Sequence, residues 1–227
     1  MRFCGRAVRT VYPEVIGPAP RALAEALPGE LFEQGFYLGG GTGLALQLGH
    51  RRSEDFDFFS PESFDLPGLA RMLEPLPGYA EVATGRDTLH CLVGDVKVSF
   101  ILHPVGLRFP LLSFGSMPVA DWRDILAEKL KTVSQRGSRK DFYDIHACCT
   151  LRETSPQQAV ELLRERFRGT GLNLYHVARS LVWFQDADRE PDPVLLKPAG
   201  WAEVKAFFVD HLPEFEAALL GGRQEPG

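Results

Sequence analysis

Apolar and polar residues alternate with a different spacing in the two halves of this chain. Up to about residue 120, short apolar or alternating runs bounded by glycine, proline and serine predict β-strands. The predicted strands cover residues 36–38, 55–59, 79–83, 88–93 and 96–102. Short helices are predicted over residues 20–27, 30–34, 42–48 and 69–73. The first half therefore has the pattern of a small sheet with flanking helices.

From residue 121 onward, apolar residues recur at the spacing of helices. The predicted helices cover residues 121–135, 140–150, 156–168, 174–186 and 200–220. Asp121 and Ser155-Pro156 are typical helix starts, and Pro213 should break the last helix. The pattern predicts an α+β protein, in which a small mixed-sheet domain over residues 1–120 precedes a C-terminal helical bundle over residues 121–227.

The composition is that of an ordinary soluble globular protein. The 227 residues are 44% hydrophobic and 24% charged, and 25 basic against 30 acidic residues give a net charge of −5. This balance argues against a broadly basic nucleic-acid coat, although a local basic cleft is compatible with it. No apolar run approaches the length of a membrane span, and the four cysteines are too sparse for a secreted disulfide scaffold. We expect a cytoplasmic protein without a membrane contact.

A glycine turn and a pair of carboxylates form the most informative segment. A backbone turn over residues 39–43, where a helix starts, allows close approach of phosphate to free N–H groups. Asp55 and Asp57 lie two residues apart on a predicted strand and should share one face. Two adjacent carboxylates suit Mg²⁺, which takes one or two protein carboxylates and completes its shell with water and phosphate. The structural alternative is an exposed acidic strand edge after a glycine turn.

A lysine interrupts the apolar face of the predicted helix at 121–135. Lys129 falls within a stripe made of Trp122, Ile125, Leu126, Leu130 and Val133. A buried lysine needs an anion or a route to solvent, so Lys129 is a candidate phosphate ligand, with snorkelling to the surface as the alternative. If the stripe is simply interrupted, Lys129→Met should preserve or raise stability.

A second charged cluster opens the next predicted helix. Arg136 and Lys140 precede Asp141 and Asp144, which share the flank of that helix at a spacing of three residues. The structural alternative is a salt-bridged surface helix start. His50 lies beside two arginines and is interpreted as a residue of the surface or of a helix end, without a chemical role.

The first of these segments resembles the polymerase-beta-type nucleotidyltransferase signature, and more closely the AbiEii-type toxins of bacterial abortive-infection and toxin–antitoxin systems. The matching residues are Gly40 to Thr42, Leu48 to Arg51, Ser53 and Asp55 to Phe59. The resemblance implies that Asp55 and Asp57 bind Mg²⁺. The nucleotide-binding residues that it implies are Gly40, Gly41, Thr42, Arg51 and Ser53.

The segment over residues 128–144 resembles the second AbiEii-type motif. By this resemblance Lys129 contacts phosphate, Arg136, Lys140 and Asp141 line the same cleft, and Asp144 braces it. The implied function is Mg²⁺-dependent transfer of a nucleoside monophosphate from an NTP to an acceptor hydroxyl, with RNA such as tRNA favoured and an antitoxin protein as a partner. The alternatives are a transferase that modifies a small molecule such as an antibiotic, and an inactive nucleotide-binding or interaction module.

The sequence departs from the superfamily at one point. Many polymerase-beta-like enzymes carry a third carboxylate on a later strand, often as the base for the attacking hydroxyl. On the predicted strand at 96–102 the corresponding residue is Ser99, and Asp95 falls in the preceding turn. Because a serine is no carboxylate base, Asp141 is the candidate for this function.

Overall fold

The computed structural model describes residues 11–221, so the ends of both predicted domains, residues 1–10 and 222–227, lie outside the described part. The strands are β1 (Tyr37–Leu38), β2 (Phe56–Ser60), β3 (Tyr79–Gly85), β4 (Thr88–Val93), β5 (Val96–Leu102), β6 (Leu112–Phe114) and β7 (Met117–Val119). The helices are α1 (Pro18–Ala26), α2 (Gly29–Glu33), α3 (Gly40–Leu48), α4 (Leu66–Leu73), α5 (Trp122–Val133), α6 (Arg139–Leu151), α7 (Pro156–Arg166), α8 (Leu174–Ser180), α9 (Trp201–Asp210) and α10 (Leu212–Leu220).

All seven strands belong to one mixed sheet. Their order is β3-β4-β5-β2-β1-β7-β6. The pairs β2·β5 and β1·β7 are parallel, whereas the remaining neighbours are antiparallel. The predicted α+β class is confirmed, since this sheet is followed by six consecutive helices within the described residues.

Local signals in the sequence set several helix ends. The Asp121 side chain accepts a hydrogen bond from the Arg123 backbone at the start of α5, and Ser155 forms a capping box with Gln158 at the start of α7. Helix α3 ends at Gly49, which adopts a left-handed φ of 63°. Pro213 lies in the first turn of α10, after α9 has ended, so the predicted break is confirmed.

Two apolar clusters fill the interior. One joins alternate residues of the central strands, such as Phe56, Phe58 and Phe100, to α1, α2 and α4. The other lies among α5 to α10 and also contains Leu44 and Leu48 of α3. Helix α3 thereby packs on both clusters. Its N-terminus, which belongs to the candidate site, lies between the sheet and the helices. The domain boundary at 120 stays a prediction.

The sequence pattern missed one part of the sheet and overextended one helix. The hairpin of β6 and β7 was not predicted, although β7 pairs directly with β1. Helix α8 ends at Ser180 rather than 186, and a separate short turn follows over 187–189. Among the described residues, no helix is both long and apolar enough to span a membrane.

Candidate active site

The glycine turn brings the backbone against a carboxylate. Gly40 opens α3 with a φ of +57°, in the left-handed region that disfavours residues with a side chain. A Cβ atom at Gly40 would lie 2.7 Å from Asp57 Oδ2. The first backbone N–H groups of α3 have no partner within the helix, and they point out of its N-terminus. The predicted cradle of N–H groups therefore lies next to the predicted metal ligand.

Asp57 lies on β2 and is partly buried, whereas Asp55 immediately precedes the strand and is exposed. Burial raises the pKa of the Asp57 carboxyl, and the nearby Asp55 charge raises it further. Lys129, Arg136 and a hydrogen bond from Ser99 act in the opposite direction. The Asp57 carboxylate thus lacks full compensation from the protein's own cations.

Thr42 and Ser53 connect the glycine turn to the segment before β2. The Thr42 hydroxyl lies 2.7 Å from Ser53 Oγ and also contacts the backbone carbonyl of Asp55. Thr42 is 2% exposed, so its side chain holds the loop rather than facing the cleft. Phosphate binding by Gly40, Gly41 and Thr42 would involve their backbone N–H groups, and this part of the assignment stays a prediction.

Lys129 is buried between two aspartates. Its Nζ atom lies 2.6 Å from Asp141 Oδ1 and 2.8 Å from Asp144 Oδ2, and both carboxylates are fully buried. Burial lowers the pKa of Lys129, but the two aspartates outweigh it and raise the pKa above its ordinary value. The anion that this lysine requires is therefore supplied inside the protein, and snorkelling to solvent does not occur.

Asp144 joins the two sequence motifs. Its Oδ1 accepts hydrogen bonds from Arg51 Nε and His50 Nε2, each at 2.7 Å, and Arg51 Nη2 lies 2.9 Å from Oδ2. Burial alone would raise the pKa of Asp144, but Arg51 and Lys129 hold it well below its usual range. The predicted bracing role of Asp144 agrees with this geometry.

Two residues of the first motif lie deeper than the sequence suggests. His50 directly follows Gly49 at the end of α3, as the helix-end interpretation predicts, but it is 3% exposed, so the surface interpretation is wrong. Arg51 is 2% exposed, and its guanidinium is taken up by Asp144. The sequence does offer one sign of this burial, since both residues lie between an apolar helix and the paired aspartates. A basic side chain that is buried there needs an acidic partner, which is Asp144. Support of a triphosphate by Arg51 and Ser53 stays a prediction.

The cations of the second motif differ in accessibility. The Arg136 side chain is 65% exposed and its Nε lies 3.1 Å from Asp141 Oδ2, while Lys140 is exposed on the first turn of α6. Asp141 is fully buried, and its two oxygens accept from Lys129 and Arg136. A general base must reach its substrate's proton, so these contacts favour a positioning role for Asp141 over the predicted role as base.

Ser99 occupies the place next to Asp57 that the sequence predicts. The two residues are direct partners in the parallel pairing of β2 with β5 and therefore share a face of the sheet. Asp95 lies in the exposed turn between β4 and β5. The sheet thus offers a serine where a third carboxylate is expected.

The donor set fits a magnesium ion that is completed by a substrate. Within residues 11–221, no three His, Cys, Asp or Glu side chains cluster as a ready-made metal cage. Asp55 and Asp57 would supply two hard oxygen ligands, and the undercompensated charge of Asp57 favours a cation, so their role as metal ligands stays a prediction. The adjacent helix N-terminus supplies the complementary site for phosphate.

Comparison with protein families shows which family this chain belongs to. The model described as "Nucleotidyl transferase AbiEii toxin, Type IV TA system" matches residues 21–220. The chain belongs to the AbiEii family of nucleotidyltransferase toxins. It is therefore an enzyme of nucleotidyl transfer, and the toxin of a type IV toxin–antitoxin system by family.

The chain is also similar to proteins of known sequence or known structure. The chain is 34% identical over 189 residues to the uncharacterized protein aq_aa25 of Aquifex aeolicus (strain VF5), which covers 79% of this chain and 87% of the relative. MenT4, the nucleotidyltransferase toxin Rv2826c of Mycobacterium tuberculosis H37Rv, has a similar fold, with a TM-score of 0.52 and 19% identity over 91% of this chain and 93% of that one. ANT(2")-Ia in complex with adenylyl-2"-tobramycin gives a TM-score of 0.51 and 15% identity over 68% of this chain and 99% of that one.

Proposed function

We propose that this AbiEii-family enzyme uses Mg²⁺ to transfer a nucleoside monophosphate from an NTP to a hydroxyl of RNA, with tRNA as the favoured class. The observation that carries the proposal is the close approach of Asp57 to Gly40, because it puts a carboxylate metal ligand beside a helix N-terminus. A nucleoside triphosphate needs both features at once, one for the bridging metal and one for its phosphates.

The chain's own residues divide the work of the transfer. Asp55 and Asp57 would hold the ion, which when bound supplies neutralisation of the phosphate charge and polarisation of the α-phosphate. The N–H groups at Gly40 and Gly41 bind phosphate oxygens, and Arg136 and Lys140 attract the triphosphate from the open side of the cleft. The acceptor oxygen then forms a bond to the α-phosphorus, and pyrophosphate leaves.

Asp141 and Asp144 act in this proposal as positioning residues. Together they hold Lys129 where its charge opposes the rise that burial causes in the pKa of Asp57. Arg136 is oriented by the same Asp141 carboxylate. The cations of the second motif, Lys129 and Arg136, therefore partly compensate the charge of Asp57 in the first motif.

The acceptor follows from the biology of the family rather than from the geometry of the cleft. A toxin acts on a component that the cell cannot do without, which favours RNA, and a toxin–antitoxin system implies a separately encoded antitoxin as partner. The complex of ANT(2")-Ia with an adenylylated antibiotic favours a small-molecule acceptor as the second candidate.

Acceptor identity is tested by incubation of the protein with Mg²⁺ and each of the four α-labelled NTPs. Parallel reactions contain total cellular RNA, total cellular protein, or an aminoglycoside. The proposal predicts label in an RNA band and release of pyrophosphate. Label on the aminoglycoside alone would support the second candidate, and absence of label with every acceptor would contradict nucleotidyl transfer to all three.

A further inference from the structure

A row of polar side chains crosses the sheet next to the proposed metal ligands. Ser99 on β5 is the direct partner of Asp57 on β2 and also of His90 on β4. Directly paired residues point to the same face, so all three side chains lie on the face that carries Asp57. His90 Nδ1 lies 3.1 Å from Ser99 Oγ, and Ser99 lies directly beside Asp57 in the pairing of β5 with β2.

The arrangement of this row favours one tautomer of His90. An ionised Asp57 carboxylate can only accept, so a Ser99 hydroxyl turned towards this paired neighbour donates its single proton to it. Ser99 Oγ then accepts from His90 Nδ1–H, which leaves the lone pair of the imidazole on Nε2. His90 is exposed, and Nε2 is therefore available to a bound molecule.

We infer that His90 is the general base of the transfer reaction, with Ser99 as its positioning residue. This inference rests on the proposed function. The missing third carboxylate would be replaced by a histidine one strand further from Asp57, with Ser99 as the link between them. Neither residue is part of the two family motifs. No role for His90 was predicted from the sequence, because its contact with Ser99 depends on the pairing of β4 with β5.

The proton balance of the step is complete without a further reactant. His90 Nε2 accepts the proton of the acceptor hydroxyl while the acceptor oxygen forms its bond to the α-phosphorus. The bond between the α-phosphorus and the bridging oxygen breaks, and pyrophosphate leaves with the electron pair. The imidazolium then returns its proton to solvent or to the departing pyrophosphate. The Nδ1–H hydrogen bond to Ser99 is retained throughout.

The test measures steady-state label transfer by four variants. His90→Gln retains a polar side chain on β4 but has no basic nitrogen, and should lower kcat by about 10²- to 10⁴-fold with KM for the NTP unchanged. His90→Ala should regain turnover when imidazole is added to the reaction. Ser99→Asp in the His90→Gln background should restore turnover, because it supplies the carboxylate base. His176→Gln is the matched control, since that exposed histidine is hydrogen-bonded to the Ser134 carbonyl on a helix outside the sheet.

The outcomes separate this inference from the proposed function. Full turnover of His90→Gln, together with loss of transfer in Asp57→Asn, would overturn the role of His90 and leave the proposed function standing. A raised KM with unchanged kcat in His90→Gln would also overturn it, since His90 would then only bind substrate. If the wild-type protein transfers no α-label to any acceptor, both ideas fall.

Discussion

A single carboxylate, that of Asp144, holds together residues from both sequence motifs. It accepts from Arg51, His50 and Lys129, and none of these residues is more than 6% exposed. Removing one member of such a buried group leaves the others with uncompensated charge, which costs more than the intact pair contributes to stability. The network therefore makes the site sensitive to single substitutions far from any bound substrate.

Substitution of Lys129 tests this network at one residue. Lys129→Met leaves Asp141 and Asp144 buried beside fewer cations, so we expect a loss of about 3–5 kcal/mol in the free energy of unfolding. This reverses the expectation from the apolar stripe alone, in which a methionine was tolerated. The measurement is urea unfolding of the variant beside the wild type.

Lys205→Met is the matched control for that measurement, because Lys205 pairs with Asp188 at the surface and its loss should change the free energy of unfolding little. Equal stability of both variants and the wild type would show that the buried pairs of Lys129 contribute nothing to folding.

The loss of stability at low pH depends on buried carboxylates that are paired with cations. Burial would raise the pKa of Glu128, but His103 and Lys131 lower it to about 2, and the pKa of Asp144 is also held well below its ordinary value. A carboxyl group whose pKa is depressed in the folded state stabilises the protein above its unfolded pKa, near 4. We expect urea midpoints to be insensitive to these groups from pH 7 to 5 and to fall as the pH drops from about 4.5 towards 2. Glu128→Gln should make that fall shallower, and an unchanged slope would contradict the assignment.

At the scale of elements, the turn from β1 into α3 fixes the distance between the metal ligand and the helix N-terminus. Gly40 meets two requirements there, a left-handed backbone and space for the Asp57 carboxylate. The Gly39 backbone N–H also donates to the Asp57 carbonyl at 2.9 Å, which fastens the turn to β2.

Gly40→Ala should therefore damage both stability and activity. The left-handed conformation costs an alanine about 1–2 kcal/mol, and its Cβ would displace the Asp57 carboxylate. Thermal melts and label transfer measure the two effects. Gly29→Ala is the matched control, because a Cβ at Gly29 meets no atom within 4 Å and this residue opens α2 with an ordinary backbone. Equal turnover of the two variants would contradict the account of the turn.

The elements differ in how far the sequence predicts them. Local signals predict the helix starts at Asp121 and Ser155 and the three antiparallel strands β3 to β5. All of them are found at or near their predicted residues. The β6–β7 hairpin has strands of three residues each, too short for periodicity to detect, and β7 is held by its parallel pairing with β1. Likewise, the contact of His90 with Ser99 depends on strand register, which the sequence leaves open.

At the scale of the molecule, the site lies where the sheet meets the helices. Helix α3 packs on both apolar clusters, and the salt bridges of Asp144 with Arg51 and Lys129 join the first half of the chain to the second. The two family motifs, within residues 40–59 and 128–144, thus meet in space although about 70 residues separate them in sequence. Their residue types were predictable from the sequence, but their burial was not, because it depends on which charges meet after folding.

The most direct test of the central claim is label transfer by Asp57→Asn. The wild-type protein should transfer label from an α-labelled NTP and none from a γ-labelled NTP, since the nucleoside monophosphate moves and pyrophosphate leaves. Asp57→Asn should abolish that transfer while its melting temperature is kept or raised, because burial already raises the pKa of this carboxyl. The exposed turn variant Asp95→Asn should transfer label like the wild type. Transfer by Asp57→Asn at the wild-type rate, or transfer of the γ-label, would contradict the account.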